Sequence, residues 1–199
     1  MMPSSSTTLY IFVEGPDDKR FFEKIIIPIL ENRYLEIKII EYAGWSPDEI
    51  SPFMRSMNKN PDWATYIFVH DFDVDSCITK KKANLCETYF PLKEEYLYIV
   101  VTMIESWYLS GTSNYVLRKN RIRTSVEEIP SYANKEYFER LISSGSNDRV
   151  KVMTNILDNF SIDVAVAKNK SFKYMIKKLS TRQPMKSNSQ KFPRHQDSI

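Results

Sequence analysis

An α/β domain, built on a parallel sheet of about four strands flanked by helices, is not announced by any single motif in this 199-residue sequence; it follows from three patterns. Four short runs are rich in aromatic and β-branched residues and bounded by turn signals, at 8–13, 36–42, 65–70 and 96–102. Stretches with helical spacing and short loops separate them, the order of a parallel sheet with right-handed crossovers. Beyond Glu105 the strand-like runs stop and only helical patterns follow. The prediction is therefore an α/β unit over 8–110, a helical C-terminal region over 111–182 and a flexible basic tail over 183–199.

The first run, TLYIFV, ends in Glu14 and turns through Gly15 and Pro16 into DDKRFFEKIIIPIL. There Phe21, Phe22, Ile25 and Ile26 share one helical face, and the acids stand in the first turn, where the helix dipole favours them. After the second run, Ser46 and Pro47 mark a capped helix start, while Pro52 is expected to weaken or break that helix. The third run leads to SCITKKKANLCETYF, a helix polar on one side that ends before Pro91. Later helices are expected near 113–120, 134–143, 147–159 and 171–180, separated by Pro130 and by SSGSND. No internal repeat is visible.

At 42% hydrophobic and 13% aromatic the chain can bury a core. Its apolar runs fall well short of the roughly 20 residues of a membrane span. MMPSSSTT lacks a charged segment followed by a long apolar one, and Cys77 and Cys86 lack metal-type spacing. The expectation is a reduced, soluble, cytoplasmic protein with no membrane association and inert cysteines. The net charge of +3 is uneven. Residues 165–199 hold nine Lys/Arg and one acid, leaving 19 basic against 24 acidic side chains in the rest. An acidic body with a basic end suits a polyanion beside a cation site, although biased termini often serve solubility alone.

Ligands of open parallel sheets sit outside the carboxyl ends of the strands. Acids are delivered there by Glu14, by the Asp71-Phe72-Asp73-Val74-Asp75 run and by Glu105 after YIVVTMI. Alternation puts Asp71 and Asp73 on one side, and Asp18 lies one helical turn from Glu14. Four carboxylates in one crevice repel each other unless something neutralises them. A hard divalent cation does so with oxygen ligands, and two ions could hold both the attacking and leaving oxygens of a phosphodiester. Asp17 and Asp75 taken singly read as turn or first-turn acids.

FVEGPDD followed two βα units later by VHDFDVD resembles the Toprim domain of primases, topoisomerases, recombination proteins and OLD-type nucleases. Glu14-Gly15 and Asp71-Phe72-Asp73 match its signature, and Asp18 matches an acid of the OLD-type branch. Glu105-Ser106-Trp107 and Lys170-Ser171-Phe172 are similar to motifs of small stand-alone Toprim proteins often linked to phage defence. The resemblance implies a nuclease using one or two Mg2+ or Mn2+ ions on DNA, less surely RNA. Glu14 would be metal ligand and helper of the attacking water, with Asp71 and Asp73 holding metal and Asp18, Asp75 and Glu105 further candidate ligands. Lys170, or Lys168, would be the basic residue at the scissile phosphate. A homodimer or a partner protein of a defence system is left open. These residues include no counterpart of the OLD ATPase domain, so ATP gating does not carry over.

Two other readings compete. HDFDVDS also resembles the first motif of haloacid-dehalogenase-type phosphatases, but Asp75 stands where that motif wants Thr or Val, and Glu14 would go unexplained. A non-catalytic Toprim-like module binding nucleic acid or protein is the other. His70, inside a strand, reads as packed or hydrogen-bonded, His195 as irrelevant, and Trp45, Trp63 and Trp107 as packing residues.

Overall fold

A computed structural model describes residues 6–72, 77–143 and 148–182 of the chain. Asp73, Asp75, His195 and the basic tail over 183–199 lie outside the described residues. Strands β1 (Thr8–Val13), β2 (Glu36–Glu41), β3 (Ala64–Asp71) and β4 (Leu97–Val100) form one parallel sheet in the order β2-β1-β3-β4. The chain leaves β1 toward one edge for β2 and returns past it for β3 and β4. The switch point of the sheet therefore lies between β1 and β3.

The central strands are apolar on both faces because both faces are covered. Leu9, Ile11, Val13, Ile67 and Val69 join one core, while Phe12, Tyr66 and Phe68 join the other. The edge strand β2 is half exposed and carries Glu36, Lys38 and Glu41, charges that discourage pairing with another chain.

Helix α1 (Pro16–Phe21) runs through a π-helical turn (Phe22–Ile26) into α2 (Ile27–Leu30), so the helix expected after Gly15 is continuous but not uniform. The wide turn lies just before Pro28, whose ring would crowd the carbonyl of Lys24 in a regular helix and whose nitrogen cannot donate to it. Helix α3 (Pro47–Lys59) passes through Pro52 unbroken, contrary to the expectation of a break. Ser46 and Glu49 form a capping box at its start, Pro52 is on the solvent side, and Ile50, Met54 and Met57 anchor the opposite face in the core. Helix α4 (Ile78–Thr88) covers the same face of the sheet, its Leu85 buried in that core.

The fourth strand is shorter than 96–102. Thr102 takes a left-handed conformation (φ 67°), an outlier for a β-branched residue, and turns the chain into α5 (Ile104–Ser110). Glu105 thus belongs to the first turn of a helix. Then follow α6 (Asn114–Lys119), α7 (Lys135–Ser143), α8 (Arg149–Asp158), α9 (Ile162–Lys168) and α10 (Lys170–Thr181). Of these, α5 and α9 were not expected. Residues from the α/β unit and from all the later helices share one apolar cluster on the face opposite α3 and α4.

Trp107 is at the centre of that cluster, with ring centroids 5.7 Å from Phe21 and 5.3 Å from Phe172, and its indole donates to Ser171 Oγ at 2.8 Å. Two of the three tryptophans do not pack as expected: Trp45 is 37% and Trp63 66% exposed. Gly111 closes α5 against Phe160, whose ring packs edge-on at 5.3 Å to Phe21. A Cβ at Gly111 would overlap the Phe160 ring. Gly111→Ala should therefore cost about 1–3 kcal/mol. The corresponding fall in Tm, roughly 3–10 °C, is measurable by thermal denaturation; an unchanged Tm would mean the ring moves aside freely.

Candidate functional site

β1 and β3 run parallel with Phe12 beside Phe68, so their carboxyl ends finish side by side at the switch point. There Glu14 Oε1 accepts from the backbone N–H of Asp71 at 2.6 Å and lies 2.9 Å from His70 Nδ1. A carboxylate only accepts, so Nδ1 carries the proton. Tyr42, at the end of β2, completes the clamp, its hydroxyl 2.6 Å from His70 Nδ1 and 3.1 Å from the Val69 carbonyl. Burial pushes the Glu14 carboxyl up, but the His70 hydrogen bond and charge, the Asp71 N–H and the charge of Lys81 outweigh it and hold it below its ordinary value. Glu14 is thus an ionised carboxylate in a fixed orientation.

Alternation along β3 turns Asp71 toward the α1 side of the crest and His70 toward the α4 side, where Glu14 lies. The two acids flank the crevice from its two sides. Asp71 is 7% exposed. Asp18, in the first turn of α1, is 6% exposed, and its Oδ2 accepts from Gly15 N–H at 3.2 Å. Burial first, then the charges of Glu14 and Glu105, push its carboxyl up to about 7.

Glu105, on α5, is 3% exposed. Its Oε1 accepts from Arg149 Nη2 at 2.7 Å, while its Oε2 is buried with no hydrogen-bond partner among the described residues. Arg149, at the start of α8, also donates to Asp17 at 2.6 Å and pairs with Glu139 of α7. Asp17 receives Arg20 at 2.6 Å as well. Burial raises the Asp17 carboxyl, but these two guanidiniums hold it below its ordinary value. Asp17 is a fastener between helices rather than a simple first-turn acid.

The structure therefore brings Glu14 to the backbone N–H of Asp71, with the two side chains on opposite sides of the crest rather than converging as expected, and sets Asp18 under the influence of both Glu14 and Glu105. Neither Lys168 nor Lys170 makes a described contact with these acids. Lys168 Nζ donates to the Val126 carbonyl at 3.3 Å, and Lys170 is exposed at the start of α10. Lys81, in the first turns of α4, is a cation whose charge acts on Glu14. The two motifs around residues 105 and 171 do meet: Asn169 caps α10, accepting from Ser171 and Phe172 N–H, and its amide lies 3.4 Å from Ser106 Oγ. Their meeting is structural, through buried Ser106, Trp107, Asn169 and Ser171.

A titration prediction follows from Asp18. Its folded-state pKa is raised, so the folded chain binds more protons than the unfolded one between the ordinary carboxyl value of 3.8 and about 7. Stability should fall as pH rises through that window, by at most about 4 kcal/mol. Asp18→Asn keeps an acceptor for the Gly15 N–H. Its Tm in EDTA should be nearly flat from pH 5 to 8 and above wild type at pH 8. Equal pH slopes for the two proteins would contradict the raised carboxyl.

The fold defines a class: a parallel α/β protein with Glu14 and Asp71 at the carboxyl ends of the two strands that flank its topological switch point. No family model matches the chain, and no curated protein or solved structure does either. None of the described helices is long and apolar enough to cross a membrane.

Proposed function

We propose that this chain is a cytoplasmic, divalent-metal-dependent nuclease that hydrolyses phosphodiester bonds in DNA, with RNA the less favoured substrate. One observation carries the reading: at a single switch point, a fixed and ionised Glu14 accepts from the Asp71 N–H and acts on a buried Asp18, whose carboxyl is pushed up first by burial and then by the charges of Glu14 and Glu105.

The donors suit Mg2+ or Mn2+. They are hard oxygens of the kind such cations take. Among the described residues no three or more His, Cys, Asp or Glu form a ready-made cage. Mg2+ does not need one, since it is commonly held by one or two carboxylates together with waters and substrate phosphates. Glu14, Asp71 and Asp18 would hold it, with Asp73 outside the described residues as a further ligand. Bound there, the cation would stabilise the charge developing on the scissile phosphate.

The protein's own groups supply the rest. His70 and Tyr42 fix the Glu14 carboxylate. Glu14, ionised and held in one orientation, is suited to help take the proton of an attacking water. Lys81, whose charge acts on Glu14, stands beside Lys170 as a candidate for the basic group that meets the phosphate.

The test incubates the purified full chain with single-stranded, nicked and supercoiled DNA and with RNA, in Mg2+, Mn2+ or EDTA. Cleavage that requires metal supports the reading. Binding without cleavage, unchanged by EDTA, would make the protein a nucleic-acid-binding module instead.

A further inference from the structure

Arg118-Lys119-Asn120-Arg121-Ile122-Arg123 places four bases in six residues, a run whose significance appears only in three dimensions. Its alternate members do two jobs. Asn120 and Ile122 are each 4% exposed and anchor the segment, Asn120 by hydrogen bonds of 2.8 Å to Val116 and Asn155. Arg118, Arg121 and Arg123 are exposed and line a cleft of about 550 Å3 with Asn114, Thr124 and Ser125. Asn114 Oδ1 ties the far wall down by accepting from Val126 N–H at 2.9 Å.

No ion pair occupies any of the three guanidiniums among the described residues. The nearby acids are engaged elsewhere: Glu128 accepts from Thr124 Oγ1 at 2.7 Å and from Ser125 N–H at 3.0 Å. Glu127 is held below its ordinary value by its own backbone, Ser125, Asn114 and Lys168. Three forked cations thus stand unneutralised on a braced loop.

Arg121 adds an independent observation. The chain leaves α6 in a Schellman turn, with Ile122 N–H donating to Leu117 O and Arg121 N–H to Arg118 O, both at 2.9 Å. The residue at the centre of such a turn is usually glycine, because it must be left-handed; here it is Arg121, with φ 60°. Strain tolerated for a side chain that makes no hydrogen bond or ion pair among the described residues points outward, to a ligand.

We propose that this cleft binds the phosphodiester backbone of a nucleic acid, Arg118, Arg121 and Arg123 each taking phosphate oxygens. The proposal rests on the nuclease reading, which supplies a nucleic acid as the ligand. Guanidinium forks match phosphate geometry in pairs of hydrogen bonds, and contacts of this kind position a strand without reading its sequence.

The test measures binding of the full chain to labelled duplex DNA by fluorescence anisotropy over a potassium chloride series in EDTA, where no metal chemistry operates. Failure of binding and failure of cleavage are then read separately. An Arg118→Gln/Arg123→Gln variant should flatten the log–log salt slope by about 1.8, at about 0.9 per lost phosphate contact. Arg121→Gly should weaken binding and at the same time raise Tm by about 2–4 °C as the left-handed strain is relieved. An unchanged slope in the double variant overturns the proposal. A lower Tm in Arg121→Gly overturns it too, by making the arginine a structural residue. Calorimetry with inorganic pyrophosphate supplies the last arm: pyrophosphate binding lost in the double variant while the DNA slope stays intact would make the cleft a small-phosphate site and overturn the assignment.

Discussion

Glu14→Gln is expected to abolish metal-dependent cleavage, lowering turnover by about a thousandfold or more, because a metal-held phosphodiester depends on several kcal/mol of charge stabilisation. The substitution is nearly isosteric. Glutamine keeps an oxygen that can accept from the Asp71 N–H, now 2.6 Å from Glu14 Oε1, so the crest of the sheet should survive. What disappears is the negative charge beside His70 and across the crevice from Asp71. Asp71→Asn should have the same effect on turnover from the other side. The measurement is single-turnover cleavage of supercoiled and single-stranded DNA with Mg2+ and Mn2+, alongside circular dichroism to show that each variant is folded. Wild-type rates in a folded Glu14→Gln protein would end the nuclease reading. A loss confined to Asp71→Asn would point instead to a nucleophilic aspartate, as in the phosphatase-type alternative, and a trapped phosphoaspartate would then be sought.

These two acids were legible in the sequence because β1 and β3 are central strands covered on both faces. Such strands read as unbroken apolar runs, and the residue that interrupts the run is the residue at the strand end. Asp18 followed from helical spacing after Gly15. Other parts of the site could not be found that way. Lys81 is one of three consecutive lysines, and only the packing of α4 over the crest distinguishes it from Lys80 and Lys82. Tyr42 looked like the last residue of a strand, and its contact with His70 depends on which strands become neighbours.

The misses in the fold have equally local causes. All seven residues of α5 are buried, so IESWYLS shows no amphipathic period to detect. Val101 and Thr102 extended the fourth strand on paper because β-branched residues favour strands, whereas Thr102 adopts a left-handed turn that no propensity suggests. Pro52 threatened α3 on propensity, yet the capping box and a buried Ile50, Met54 and Met57 face outweighed it.

Arg149 was the largest omission, since its partner Asp17 lies 132 residues away in the chain. Arg149→Ala should be the most destabilising single change considered, by about 3–5 kcal/mol. Its guanidinium holds Asp17 of α1, Glu105 of α5 and Glu139 of α7 together and stacks 5.1 Å from the Phe138 ring. Removing it leaves Glu105, with only 5% of its side chain exposed, as an uncompensated buried charge. A fall in Tm of roughly 6–20 °C is expected, read by calorimetry at neutral pH. The cause is specific enough to be reversed. Arg149→Met combined with Glu105→Gln deletes the stranded charge and should regain much of the loss, because a buried ion pair replaced as a whole is far less costly than one broken in half. The same single variant should also act on the crevice, since Arg149 now screens the Glu105 charge that helps raise Asp18. In Arg149→Ala the decline of stability with rising pH should therefore extend to higher pH than in wild type, and the double variant should cancel that extension. If Arg149→Ala costs less than about 1 kcal/mol, the network is a surface ornament of the kind exposed pairs usually are, and α8 is held to α1 and α5 by its apolar face alone.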